Sequence, residues 1–237
     1  MRKGILVSLL LLLSPLCFAQ QRILNDVEFF TGMPFINGSG INDKDESISF
    51  SSENPSFTSG LGFVNYPFPS TDVIGVFFII GNYYTKAFIY KLPDEKIIFN
   101  QGNITAANNY QIGLKLQFLE AGNFKFPFMF GYNLIEITAS ANPSAGVVWN
   151  LNRVSSGIFT SFAAELHFNK SIFLFMRLQA TFAFINSSSV LKITEAAKVN
   201  NKQAFYVDQR ADTEIGLFTT VTPVIGLGLK LNGLFSK

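Results

Sequence analysis

Residues 110–118 have the sequence YQIGLKLQF, and this stretch decides the fold. Bulky apolar side chains stand at every second position from Tyr110 to Phe118, and small or polar residues stand between them. Successive side chains of a β-strand point to opposite faces, whereas an amphipathic helix repeats about every 3.6 residues. The stretch therefore predicts a strand with one apolar face and one polar face.

Seven further segments are expected to form strands. Three alternate as clearly as the first, at 161–168, 176–184 and 225–231. Four are weaker, at about 24–36, 56–66, 72–90 and 126–139. The third weak segment is apolar on both faces, which leaves its sidedness open. These eight strands predict an all-β protein.

The connections between the expected strands differ in length. Short ones lie at 67–71, 121–125 and 169–171. Long ones, rich in Asn, Ser, Asp and Lys, lie at 37–55, 91–108, 140–156 and 187–212. Short turns at one rim and long loops at the other are typical of transmembrane β-barrels. The pattern favours an eight-stranded antiparallel up-and-down barrel that spans a membrane.

The composition points to the same class. Only 14% of the 237 residues are charged and 48% are hydrophobic, whereas about a quarter of a soluble domain is charged. The formal net charge is +2, and Arg2 and Lys3 belong to a segment expected to be removed. The remaining chain is close to neutral, which argues against a nucleic-acid partner.

The first 19 residues have the organisation of an export signal. Arg2 and Lys3 precede an apolar run that is too short to span a bilayer, and Ala19 supplies the small residue before Gln20. We expect cleavage between Ala19 and Gln20, which leaves 20–237 as one barrel domain. The alternatives are an N-terminal membrane anchor and a lipoprotein signal at Cys17.

Alternation alone does not say which face of a barrel is outside. A soluble, lipocalin-like periplasmic carrier would turn its apolar face inward. Here the polar faces consist mainly of Gly, Ala, Ser and Gln, with about one charge per strand, which is too few for a surface in water. The apolar faces are also too bulky for a narrow lumen. We therefore expect lipid on the apolar side.

The final strand strengthens this interpretation. Members of the eight-stranded outer-membrane proteins, the group with the OmpA, OmpX and OmpW types, end in an alternating strand with a terminal aromatic residue. The chain resembles them at Leu227, Leu229, Leu231 and Phe235, although Ser236 and Lys237 follow. The resemblance implies insertion by the outer-membrane assembly machinery into outer-membrane lipid. It also implies periplasmic termini and four surface loops.

Isolated charges recur on the polar faces at a similar depth from the short turns: Glu28, Lys115, Glu165, Arg177 and Lys230. In the expected strand order Glu28 neighbours Lys230, and Glu165 neighbours Arg177. Buried charges must be paired or hydrated, so we predict one ion-paired layer in the lumen. Such a layer would act as a structural plug or as a gate on a narrow conduit.

Few residues suggest catalysis or metal binding. His167 shares a face with Glu165 and Ser161, but no nucleophile elbow accompanies them, and a hydrogen-bonded lumen histidine is the expectation. Residues 42–46, NDKDE, lack the spacing of a calcium loop. We expect neither a catalytic residue, nor a metal, nor a cofactor.

Three functions remain after these exclusions. The first is a structural or surface-interaction barrel whose long loops bind an extracellular ligand. The second is an OmpW-like narrow channel for small apolar solutes. The third, with little support in the sequence, is an outer-membrane lipid-modifying enzyme.

Overall fold

The computed structural model describes residues 26–41, 47–53, 55–68, 73–91, 96–99, 105–144, 147–199, 202–212 and 217–231. Nearly all of these residues lie in β-strands. Fifteen strands join one sheet, and every strand pair in it is antiparallel. No helix in the described ranges is long and apolar enough to cross a membrane.

Eight strands form the barrel wall: β1 (Asp26–Gly32), β4 (Phe57–Asn65), β5 (Ile74–Thr85), β8 (Thr105–Leu116), β11 (Phe128–Ser144), β12 (Val147–His167), β13 (Ile172–Val199) and β15 (Leu217–Lys230). Seven shorter strands extend it or line its turns: β2 (Phe35–Ile41), β3 (Ser47–Ser52), β6 (Phe88–Lys91), β7 (Lys96–Phe99), β9 (Glu120–Ala121), β10 (Phe124–Lys125) and β14 (Lys202–Asp212).

The eight wall strands pair in chain order from β1 to β15, and β15 pairs in turn with β1. This last pairing closes the barrel. Followed from strand to strand around the wall, the registered partners of Asp26 lead to Ile36 in β2, which continues the ladder of β1 along β15. Ile36 is ten residues further along the chain (26 to 36). This stagger means that the strands tilt steeply against the barrel axis. The eight-stranded antiparallel barrel predicted from the alternation is confirmed.

The two faces of the wall differ as predicted. Along β13, for example, Met176 and Leu178 are 65% and 57% exposed. Arg177 and Gln179, which alternate with them, are buried. Large apolar side chains cover the outside of the other strands too, including Leu61, Leu114, Phe130, Phe162 and Leu227. A closed sheet with an apolar exterior satisfies its backbone groups internally, which is what a bilayer requires.

The inside is more apolar than the alternation suggested. The segment 72–90, whose sidedness the sequence left open, turns Phe77, Ile79 and Tyr83 inward. It also divides into β5 and β6 at Lys86 and Ala87. Phe77 and Ile79 belong to a buried cluster that also includes Phe30, Met129, Phe159, Phe173 and Phe175. Phenylalanine therefore occurs both on the outer face and in the lumen.

In the described residues, the four long connections consist mostly of strands and not of the loops that were expected there. Segment 37–55 contains most of β2 and all of β3, and segment 91–108 contains β7 and the start of β8. Segments 140–156 and 187–212 are largely the ends of β11, β12 and β13 together with β14. The described backbone of these segments pairs with neighbouring strands, so the sheet extends beyond the eight wall segments expected from the sequence.

The opposite rim has the expected short connections. Asn169 forms an Asx turn, because its Oδ1 accepts hydrogen bonds from the backbone N–H groups of Ser171 at 2.7 Å and Ile172 at 2.9 Å. Gly122 has a φ of 61° in the hairpin between β9 and β10, a conformation that favours glycine. This rim, called the short-turn end below, also holds the start of β1 and the end of β15.

Candidate functional site

The candidate site is a cluster of charged side chains inside the barrel near the short-turn end. Lys115, on β8, places its Nζ 3.1 Å from Oε1 of Glu28 on β1 and 2.6 Å from Oε1 of Glu165 on β12. The Lys115 and Glu28 side chains are completely buried, and that of Glu165 nearly so. One ammonium group therefore links three strands across the lumen.

Arg177 extends the cluster to β13. Its Nη2 donates a hydrogen bond to Oε2 of Glu28, so that both oxygens of this carboxylate are bound to a cation. The guanidinium also lies 4.5 Å from the centre of the Phe175 ring, and the Lys115 ammonium lies 5.6 Å from the Phe173 ring. Both contacts are cation–π interactions, which strengthen when water is excluded.

Four of the five predicted charged residues meet in this way, but their pairing differs from the prediction. Lys230 faces Asp26, not Glu28, across the ladder between β15 and β1, and the two opposite charges attract each other. Arg177 faces Ala163 and binds Glu28, not Glu165. The tilt of the strands causes both differences, because residues at equal depth are offset along neighbouring strands.

Two parts of the site were missed in the sequence. Asp26 is buried two positions before Glu28 on the same face of β1, and the period of two could have identified it. The period of two also puts Phe173 and Phe175 on the face of Arg177, but it does not show which residues face them on the next strand. Phe173 and Phe175 pair with Gly228 and Gly226 on β15, and a Cβ atom on either glycine would lie within 2.3 Å of the facing ring.

The histidine lies at the outer edge of this cluster. His167 Nε2 is 3.3 Å from Oε2 of Glu165, and the imidazole stacks on Phe173 with 4.9 Å between ring centres. Ser161 Oγ is buried and has no hydrogen-bond partner within the described residues, so it does not contact the imidazole. Ser161, His167 and Glu165 therefore do not form a hydrogen-bonded triad.

A second polar group lies further from the short-turn end. Asn109 Nδ2 donates to the hydroxyl of Tyr83 at 2.9 Å, and Asn133 Nδ2 donates to Oδ1 of Asn109. These three buried residues connect β5, β8 and β11. Phe77 and Phe159 are also buried in the lumen, with their ring centres 5.6 Å apart.

Other predictions fall outside the described residues: the cleavage site at Ala19 and Gln20, the NDKDE segment at 42–46, and Phe235 of the C-terminal signal. The remaining apolar positions of that signal lie on or beside β15. Leu227 is exposed on the outer face, and Leu229 and Leu231 are partly exposed.

Comparison with known proteins gives a fold and no closer relationship. No family model matches the sequence, and no curated protein matches it. Among solved structures, the outer membrane protein OprG from Pseudomonas aeruginosa has a TM-score of 0.54 and 12% identity over 88% of this chain and 96% of that chain. The outer membrane protease OmpT from Escherichia coli has a TM-score of 0.49 and 7% identity over 90% and 99%. The outer membrane protein AlkL has a TM-score of 0.47 and 9% identity over 88% and 92%. The closed barrel and its likeness to OprG show that the chain has the fold of outer-membrane β-barrels.

Proposed function

We propose that this chain is an integral outer-membrane protein whose sealed barrel anchors long β-hairpins at the cell surface. The observation that carries the proposal is the filling of the lumen: the cluster of Glu28, Lys115, Glu165 and Arg177 is buried, and Phe173 and Phe175 pack against it. An eight-stranded barrel is narrow enough for such side chains to fill.

The extension of the sheet supports the second half of the proposal. About 9–11 residues of a tilted strand suffice to cross the hydrocarbon core. β12 has 21 residues and β13 has 28, and β14 adds a further strand to their hairpin end. More than half of β13 therefore extends past the bilayer, where it can meet a partner.

In this proposal the short-turn end faces the periplasm. Residues 1–19 direct export, and the assembly machinery reads Leu227, Leu229, Leu231 and Phe235. The extracellular ligand binds through the segments 37–55, 91–108, 140–156 and 187–212. These segments lie towards the rim opposite the start of β1 and the end of β15, which is where outer-membrane barrels carry their long connections.

The sealed lumen is tested by planar-bilayer recording of the refolded chain. We expect no stepwise conductance, because ions would have to pass a buried, ion-paired cross-section. Regular channel openings from the purified protein would contradict the seal. Uptake of a small apolar dye into liposomes without ionic conductance would instead support the OmpW-like conduit over an anchor.

The surface position is tested by protease treatment of intact cells. We expect cleavage within 187–212, while the short-turn hairpin between β8 and β11 stays protected until the outer membrane is permeabilised. An epitope at the short-turn hairpin, between Ala121 and Phe124, serves as the matched periplasmic control. Cleavage at this control site in intact cells would reverse the proposed orientation.

The absence of an enzymatic activity stays a prediction.

A further inference from the structure

Strand β14 is an edge of the sheet. Beyond the barrel wall β13 lies between β12 and β14, since Val190 pairs with Asn152 on one side and with Ala211 on the other. Within the described residues β14 pairs with β13 alone. The second edge of β14 therefore presents backbone N–H and C=O groups that no ladder of the described strands uses.

This free edge continues the barrel wall away from the short-turn end. On β13, Ala183 pairs with Phe218 of β15, and Ser189 pairs with Asp212 of β14. Six residues separate the two positions on both sides of the ladder, so β14 and β15 follow one register along β13. β2 covers the other edge of β15 at residues 217–221, but no described strand covers β14. The hairpin of β13 and β14 thus projects past its neighbour with one side open.

The open edge is long and regular. β14 has 11 residues, which extend about 36 Å in a β-strand. Its ladder with β13 runs without a register shift, and residues 202–212 contain no proline. Proteins commonly blunt a free edge with a short strand, a bulge or a proline, because an open edge is a template for another strand. β14 has none of these three features, so it is suited to accept one.

The charges of β14 match a second copy of the same strand. In an antiparallel pair about a two-fold axis at Val207, all 11 residues of both copies are paired, and Lys202 lies opposite Asp212 at both ends. Moving the axis by one residue opposes Lys202 to Arg210 in one direction and Asp208 to its own copy in the other. Like charges directly opposite each other are destabilising. Moving the axis by two residues leaves only seven residues of each strand paired.

The symmetry of such a pair fixes how the two barrels are oriented. The two-fold axis of an antiparallel strand pair is perpendicular to the sheet, and here the sheet continues the barrel wall. The axis is therefore parallel to the membrane plane, and it inverts the second barrel relative to the first. Copies in one membrane all point the same way, so the second copy has to lie in an opposed membrane.

We propose that β14 joins two copies of this chain from the facing outer membranes of two cells, by antiparallel pairing of their 202–212 edges. The proposal rests on the proposed function, which places the segment 187–212 outside the cell. It adds the partner: a second copy of the chain, recognised by an open strand edge and by opposite charges at its two ends.

The test uses the purified chain in lipid nanodiscs with one barrel per disc, and particle mass is measured by analytical ultracentrifugation. We expect particles that contain two discs, because pairing between opposed membranes joins separate discs. Each variant is first shown to fold by its heat-dependent gel shift. Single discs at every protein concentration would overturn the proposal.

A charge exchange separates this pairing from other contacts between discs. Lys202→Asp and Asp212→Lys each place like charges at both ends of the pair, and each alone should raise the dissociation constant about tenfold. A mixture of the two variants should recover the two-disc particles, because opposite charges then meet at both ends. The double variant Lys202→Asp/Asp212→Lys should recover them for the same reason. Failure of both to recover, or equal pairing in the single variants, would overturn the proposal.

The protease experiment on intact cells keeps the two proposals distinguishable. Single discs together with cleavage within 187–212 would overturn the pairing and leave the surface barrel standing. Protection of 187–212 on intact cells would contradict the proposed function, on which contact between cells depends.

Discussion

At the scale of single residues, Lys115 is the group on which the charged cluster depends. Its ammonium binds Glu165 and, together with Arg177, also binds Glu28. The side chains of these residues are all buried. A buried charge that loses its partner keeps the cost of its desolvation without the compensating attraction. Lys115 therefore matters more for stability than a surface lysine does.

We expect Lys115→Met to lower the free energy of unfolding by about 3–5 kcal/mol, the range found when one partner of a buried ion pair is removed. The measurement is urea unfolding of the barrel in lipid vesicles at pH 7. Adding Glu165→Gln to this variant should recover part of the loss, because the orphaned carboxylate becomes neutral.

The matched control is Lys125→Met. Lys125 forms a 3.0 Å pair with Glu120, whose side chain is 54% exposed. The hydrogen bond and the charge of Lys125 hold the pKa of Glu120 below its usual value. The pair's stabilising effect is thus present at neutral pH and is lost as the pH falls through this lowered pKa. Its loss should cost less than about 1 kcal/mol. Equal losses in Lys115→Met and Lys125→Met would show that the buried cluster does not stabilise the barrel.

At the scale of elements, β13 and β15 fit together through a size match. The rings of Phe173 and Phe175 occupy the space that side chains on Gly228 and Gly226 would take. The glycines thus let two aromatic rings lie flat against the wall and leave the lumen centre to the charged groups. A small residue in a strand is here a packing requirement and not a weak point.

Gly228→Ala should therefore destabilise the barrel by about 1–3 kcal/mol, the usual cost of overpacking a filled interior. The same substitution in a Phe173→Leu background should cost less, since the shorter side chain can move away from the new methyl group. The four proteins are compared by the midpoint temperature of the heat-dependent gel shift. Strictly additive effects would mean that the ring and the glycine do not constrain each other.

At the scale of the whole molecule, the direction of the two faces decides between a membrane barrel and a soluble carrier. Phe162 is 54% exposed on the outside of β12, whereas Phe159 on the same strand is fully buried in the lumen. The two positions are about 10 Å apart along one strand and face opposite sides of the wall.

This direction is measured with Trp149→Phe as the background, which removes the single natural tryptophan. We expect the fluorescence of Phe162→Trp to be quenched strongly by lipids brominated on their acyl chains, and that of Phe159→Trp only weakly. Stronger quenching at position 159, or folding without any detergent or lipid, would contradict the assignment of the outer face to lipid. Either result would favour a soluble periplasmic carrier.

The sequence by itself determined the strand pattern, the number of wall strands and the face that meets lipid. It could do so because successive side chains of a strand point alternately to the lipid and to the lumen. This period of two is visible within the sequence of each strand. The alternation around Lys115 and around Arg177 is enough to place both charges in the lumen.

Only the tertiary structure decided which of these charges meet. The stagger around a closed barrel depends on all eight strand pairs together, so the depth of Glu28 relative to Arg177 cannot be read from either strand. For the same reason the sequence did not reveal that Phe173 packs on Gly228. The long polar segments became strands because a partner strand satisfied their backbone, which local composition does not encode.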